Sequence, residues 1–251
     1  MVKATGKLLW ALAVLFLLVS CSGGSKTERK EKPLGVEDHF QMAYKAAERG
    51  NLEEAAIEYK KVLKLDSKHI KAHLNLGIVY GRQGKGKQEI AQYKKVIRLD
   101  PKFAEAYFNL GVAYYERGDL KNAFLQFQKA LEISPNFVEA RNNLGNIYFR
   151  RGKPDQALEE YLKVVEIKPD YARGHFNIGN IYRQKGRTEE AIASFEKALE
   201  VDPNYAEVHY QLAILYYEKK EYKLAARHLD QAGKLGMVVD PKLAEFLKAH
   251  R

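Results

Sequence analysis

Cysteine is almost missing from this sequence: Cys21 is the only one among 251 residues. A lone thiol excludes an intramolecular disulfide and every paired-cysteine metal or redox motif. The chain also has no G-x-S-x-G, no HExxH and no Walker glycine loop, so the patterns that build acyl-transfer nucleophiles, zinc hydrolases and phosphate cradles are wanting. No catalytic residue, metal site, cofactor or small-molecule substrate is expected. Long apolar runs are scarce as well. Leu8 to Val19 is apolar throughout, yet at about 1.5 Å per helical residue it covers only about 18 Å of a bilayer core near 30 Å. Behind Lys3 and Lys7 it reads as the apolar part of a secretory signal peptide over 1–20, not as a spanning helix. What the sequence has in quantity is hydrophobic residues (46%), charged residues (29%) and a formal net charge of +10, which suits one folded domain behind a leader.

Order within that composition comes from a period of 34 residues. Starting at Val36, six gapless units fill 36–239 as 36–69, 70–103, 104–137, 138–171, 172–205 and 206–239, the mark of a stacked helix-turn-helix array. Position eight is small (Gly77, Gly111, Gly145 and Gly179, with Ala43 and Ala213 in the end units), as expected where two helix backbones cross closely. An aromatic follows at position eleven, Tyr80 to Tyr216, on the same helical face. Glycine at position fifteen (Gly50, Gly84, Gly118, Gly152, Gly186) stops the first helix, because it takes the left-handed cap without steric cost. Alanine at position twenty and an aromatic at twenty-four form one stripe of the second helix, which ends at proline thirty-two (Pro101, Pro135, Pro169, Pro203).

This set of small, aromatic and breaker residues resembles the tetratricopeptide repeat (TPR) family from Val36 to about Val239. The resemblance implies an all-α fold, a right-handed superhelical solenoid of six 34-residue helix-turn-helix repeats. Asp240-Pro241, followed by the Leu243, Phe246, Leu247 stripe, predicts a C-terminal capping helix within 240–251. Three units depart from the pattern, unit one with Ala46 at the aromatic position and Ser67 at the proline position. Glu89 stands at the alanine position of unit two, beside Gly81, Gly84 and Gly86; burying an unpaired carboxylate is costly, so this hairpin is expected to be loosened. Unit six has Lys220 at the hinge position.

The leader ends in Leu18-Val19-Ser20-Cys21, which resembles the lipobox of bacterial lipoproteins. That resemblance implies cleavage before Cys21 and a covalent lipid on it. It implies a location in the bacterial cell envelope, with Ser22 favouring the inner leaflet of the outer membrane facing the periplasm. Residues 21–35, rich in Gly, Ser and charge, read as a flexible tether spanning about 20 Å as a coil. Loss of 1–20 leaves 40 basic and 32 acidic residues, a formal +8. Export removes nucleic acid as a partner and leaves acidic lipid head groups or acidic protein segments for the positive charge, which reads mainly as a solvated basic surface.

In the TPR family, partners lie along an inner groove lined by positions two, five, six, nine, twelve and thirteen of the first helices. Position six gives Asn75, Asn109, Asn143 and Asn177, flanked by Gln41 and Gln211. Such a row of amides can pair with the main chain of an extended peptide, and it resembles the asparagine ladder of the O-linked N-acetylglucosamine transferases. Asn142, Asn146 and Asn180 add amides in units four and five, and Arg150, Arg173 and Arg183 add cations that suit an acidic segment or chain terminus. The binding hot spot is expected there, with Phe176 among its peptide-binding residues and apolar pockets at Phe108 in unit three and Tyr210 in unit six. His39, His73, His175 and His209, all at position four, are expected to be packing residues, and no metal site is expected at His69 and His73.

These expectations describe a non-catalytic interaction scaffold, held at a membrane by its lipid and binding an extended segment or helix of an envelope protein. Leader, lipobox and six repeats are similar in architecture to the pilotin lipoproteins of type IV pili, which implies assistance to secretin or pilus assembly. Adaptors for periplasmic peptidoglycan hydrolases or proteases, or a non-catalytic subunit of a larger enzyme, share the same features.

Overall fold

A computed structural model describes residues 33–250. Signal peptide, lipobox, Cys21 and most of the tether lie outside the described residues. The repeat region is a train of helix pairs. Unit one holds α1 (Val36–Glu48) and α2 (Leu52–Leu65), and unit two α3 (Ile70–Arg82) and α4 (Gly86–Leu99). Units three and four hold α5 (Ala104–Glu116), α6 (Leu120–Ile133), α7 (Val138–Arg150) and α8 (Pro154–Ile167). Units five and six hold α9 (Ala172–Gln184), α10 (Thr188–Val201), α11 (Ala206–Glu218) and α12 (Tyr222–Lys234), and α13 (Pro241–Ala249) closes the array. The fold is the all-α TPR solenoid with a capping helix, and the described residues contain no strand. No helix among the described residues is long and apolar enough to cross a membrane.

Each hairpin closes in the same way. The position-fifteen glycines lie at φ from +69° to +79°, and the next residue's N–H returns to the position-eleven carbonyl, as in Lys85 to Tyr80 at 2.8 Å and Arg187 to Tyr182 at 2.9 Å. This is the bond that ends a helix on a left-handed residue. Lys220 makes the same turn at φ 64° without being glycine.

Position eight is small for a more specific reason than a close backbone crossing. A Cβ on Gly77, Gly111, Gly145 or Gly179 would meet the ring of Tyr93, Phe127, Tyr161 or Phe195 of the same unit at 2.5–2.6 Å. The ring of position twenty-four therefore lies directly on the glycine. Phe127 and Phe195 are fully buried there.

Position five ties the first helix of a unit to its own second helix and to the turn that leads into the next unit. In odd units an aromatic there meets the rings of positions twenty-four and thirty-four: Phe108 lies 5.9 Å from Phe127 and 4.9 Å from Phe137, and Phe176 lies 5.8 Å from Phe195 and 5.2 Å from Tyr205. Phe40, Tyr59 and His69 repeat the arrangement in unit one.

The expected loosening at Glu89 does not occur. Glu89 is 5% exposed within a regular α4, and its carboxylate accepts a hydrogen bond from Arg117 Nη2 at 2.8 Å. Arg117 also donates to the Ala113 carbonyl. A Cβ on Gly81 would strike the Glu89 carboxylate, and one on Gly86 would strike the Arg117 guanidinium. Gly81 and Gly86 are thus the room that a part-buried ion pair between units two and three requires.

The position-four side chains do more than pack. His73 lies 2.7 Å from Gln92 Oε1 and 3.1 Å from the Ser67 carbonyl; Arg141 donates to Glu160 at 2.8 Å and to the Pro135 carbonyl at 2.6 Å. His209 sits between His228 Nδ1 and the Pro203 carbonyl, each 3.0 Å away. Position four therefore ties the preceding turn to position twenty-three of its own second helix. In unit one the tie is His39 to Glu58 at 2.6 Å. Burial alone would raise the Glu58 carboxyl, but hydrogen bonds from Lys61 and His39 hold it below the usual carboxylate range.

Candidate functional site

The first helix of each unit carries the amide row on the residues that follow its buried seam. Asn75, Asn109, Asn143, Asn177 and Gln211 are half-buried, and Gln41 is exposed. Their hydrogen bonds run largely into the stack. Asn75 Nδ2 donates to Tyr59 Oη at 3.1 Å, Asn146 Nδ2 donates to Asn143 Oδ1 at 3.3 Å, and Tyr161 Oη donates to Asn146 Oδ1 at 2.7 Å. Asn109 Nδ2 and Gln211 Oε1 are shut off from solvent. Of the ladder expected from the sequence, Asn75 and Asn177 are bonded to a neighbouring unit, Asn143 is bonded within its own helix, and Asn109 Nδ2 and Gln211 Oε1 are buried without a hydrogen-bond partner among the described residues.

Asn142 is the clearest correction. Only 2% exposed, it cannot line a groove; its Oδ1 accepts from Asn177 Nδ2 at 2.8 Å and links unit four to unit five. Phe108 and Phe176 are corrected likewise, since both are half-buried in the ring clusters of their own units instead of flooring open pockets. Tyr210 packs against the last core cluster. Asn180 is half-buried and Arg183 exposed. Arg173 lies at the edge, in a concavity between inter-unit turns with Tyr171, Asp202, Tyr205 and Glu207. Burial raises the Tyr205 phenol there, and the Arg173 charge and hydrogen bond work against it.

The groups that do reach outward on this face are at positions nine, twelve and thirteen. Arg150 lies over the Tyr115 ring, 4.5 Å from its centroid, and Arg82 donates to the Ala47 carbonyl at 3.0 Å. In both cases a position-thirteen arginine is pinned by position twelve of the preceding unit. Between units one and two this produces a cavity of about 210 Å³ lined by Tyr44, Ala47, Glu48, Tyr59, Asn75, Ile78, Val79 and Arg82. Its walls are chiefly apolar, Tyr44 and Ile78 are 46% and 37% exposed, and Tyr59 Oη with Asn75 supplies polar groups at its floor. A concave apolar site with a few converging polar groups is suited to holding a large side chain of a bound segment.

Of these lining residues only Asn75 is singled out by the amide pattern. The available signal is Tyr59: at position twenty-four a tyrosine, unlike the phenylalanines of units three and five, sends a hydroxyl to the neighbouring unit's first helix. Burial raises the Tyr59 phenol, and the Asn75 hydrogen bond opposes that shift.

The TPR repeat model matches residues 44–84, 88–118, 113–152, 145–182 and 179–220. Among solved structures, MamA is 34% identical over 66% of this chain and 97% of its own, with a TM-score of 0.58. PilF of Pseudomonas aeruginosa is 19% identical over 86% of this chain and 97% of its own, with a TM-score of 0.73. YrrB, described as a TPR protein with an unusual peptide-binding site, is 24% identical, with a TM-score of 0.57 over 76% of this chain and 97% of its own. Proteins of curated function give no match. PilF and YrrB share the fold; the repeat itself is matched across more than half of the sequence, and an array of this kind presents an extended surface to other proteins. With the 34-residue period, the glycine-seated rings and the capped helix pairs, these matches make the chain a member of the tetratricopeptide repeat family.

Proposed function

We propose that this protein is a non-catalytic, lipid-anchored scaffold that holds an extended segment or helix of another envelope protein against its odd-numbered helices. The observation that carries this reading is the cavity between units one and two. It lies on positions six, nine, twelve and thirteen, the ones that line partner sites in this family, and it combines apolar walls with Tyr59 Oη, Asn75 and the Glu48 and Arg82 charges. Exposed Phe149, Arg150 and Arg183 extend the same face into units four and five. Cys21 carries the lipid, no other cofactor is needed, and the repeats face the periplasm from the inner leaflet of the outer membrane. Full-length similarity to PilF supports the architecture behind a role in secretin or pilus assembly. The test is capture of partners from detergent-treated membranes with the full chain and with an Ile78→Asp, Arg183→Ala variant. The variant is expected to lose a partner that the parent retains. Equal capture by both would overturn the assignment of this face. Loss of secretin multimers on deletion of the gene is the expected outcome for the assembly role, and unchanged multimers would remove it.

A further inference from the structure

The second helices carry a surface that the groove does not use. Positions twenty-five, twenty-nine and thirty-three are Lys60, Lys64 and Lys68 in unit one and Lys94, Arg98 and Lys102 in unit two. All six are exposed, and among the described residues none of the six is held in an ion pair. The nearby Asp66 and Asp100 carboxylates are turned into their own turns, where they accept the Lys68 and Lys102 backbone N–H at 3.0 and 2.9 Å. In units three to five the same three positions hold Glu132, Glu166, Asp170, Glu196 and Glu200 and no cation. Unit two alone has eight basic and two acidic residues, a formal +6 of the chain's +10. The positive balance of the array is therefore concentrated in unit two, and unit one, with six basic and seven acidic residues, continues the patch only through Lys60, Lys64 and Lys68.

We propose that this patch of α2 and α4 docks on an anionic bilayer surface. Two observations favour a membrane over an acidic protein. Ile57 and Leu65 stand among the α2 lysines at 53% and 56% exposure, which gives α2 the outward sequence Ile57, Lys60, Lys64, Leu65, with Lys68 in the turn that follows. Large apolar residues between cations suit the boundary between headgroups and acyl chains. The patch is also on the units nearest in sequence to Cys21 and to the basic Lys26, Arg29, Lys30 and Lys32, whose charge has the same sign. Each cation near an anionic leaflet adds attraction that decays within a Debye length. Docking by α2 and α4 leaves the odd-numbered helices available to a protein partner.

The experiment is co-sedimentation of the mature chain 21–251 carrying Cys21→Ser, so that neither an acyl chain nor the apolar leader contributes, with phosphatidylglycerol-containing or pure phosphatidylcholine vesicles. Binding is expected to prefer the anionic vesicles, to fall with added salt, and to drop on the order of a hundredfold in K60E/K64E/K68E/K94E/R98E/K102E. Lys153→Glu, Lys197→Glu and Lys223→Glu together should leave it unchanged. Ile57→Ser with Leu65→Ser should weaken vesicle binding severalfold while leaving retention on poly-glutamate as it was. Helical circular dichroism establishes that each variant is folded. Equal vesicle binding by parent and six-fold variant would overturn the proposal. So would retention on poly-glutamate without any preference for anionic vesicles, which would make the patch an acidic-protein site.

Discussion

Position five is Phe108 in unit three and Asn142 in unit four, and the two residues close their junctions by different physics. Phe108 meets Phe127 and Phe137 through ring contacts at 5.9 and 4.9 Å, an attraction that tolerates small shifts of α5 against α6 and the turn before α7. Asn142 is buried with a single directed bond from Asn177 at 2.8 Å, which is worth less in energy and fixes orientation more tightly. The concentration of asparagine in units four and five then reads as a set of internal struts, with Asn143, Asn146 and Tyr161 completing it.

The largest expected effect falls on the aromatic junction. Phe108→Ala should lower stability by about 3 kcal/mol, since a half-buried ring contact is lost and a cavity remains. Asn142→Leu should change stability by only about 1 kcal/mol, because apolar burial offsets the lost hydrogen bond. Urea unfolding gives both values. The comparison sharpens further in hydrogen exchange: Asn142→Leu should speed exchange at the α7–α9 junction more than its stability change implies. Equal losses for the two variants would break the distinction.

Next comes the junction of units two and three. Arg117→Ala strands the Glu89 carboxylate and should cost about 2 kcal/mol, a figure discounted because the Arg117 side chain is 36% exposed. Glu89→Ala restores the usual alanine and should cost about 1 kcal/mol, through the space left beside Gly81 and Gly86. The double variant should match Glu89→Ala alone, because both remove one interaction.

Unit six contrasts with its neighbours in pH response. Burial, with the His209 and Arg227 charges beside it, lowers the His228 imidazole to about 4 from an ordinary 6.5. The unfolded chain takes up a proton near 6.5 and the folded one only near 4. Stability is thus complete above about 6.5, falls between 6.5 and 4, and is flat below. His228 is partly open to solvent, so the loss should be about 1–2 kcal/mol, read from thermal unfolding across that range. His228→Gln should flatten the profile.

How much of this was legible in the sequence follows the reach of each interaction. Gly50, Pro101 and Asp240 act on their own turn or helix end, so period, hairpins and capping helix could be read directly. The Glu89 pair could not. Its partner Arg117 is 28 residues away in the next unit, although Gly81 and Gly86 beside an out-of-place glutamate mark a hidden bulky group. Asparagine is ambiguous for a different reason: residue type shows that an amide can bond, not whether it turns outward to a guest or inward to Tyr59, Asn146 or Asn142. The site reading suffered most from that ambiguity, and the cavity at Tyr44, Ile78 and Arg82 was missed because exposure at positions nine and thirteen depends on the neighbouring unit.

The smallest effect tests whether the hinges are equivalent. Lys220 adopts φ 64° where five units have glycine between +69° and +79°, so its Cβ meets a cost of about 1 kcal/mol that glycine avoids. Glycine also widens the unfolded ensemble, which returns a few tenths of that. Lys220→Gly should therefore stabilise unit six by about 0.5 kcal/mol, and Gly152→Lys should destabilise unit four by a similar amount, both measured by urea midpoint. The Glu221 to Tyr216 bond at 2.8 Å indicates that the turn geometry is already reached without glycine. If Lys220→Gly gave no gain, the hinge would be set by that bond and by the packing of α11 on α12, with backbone preference contributing little.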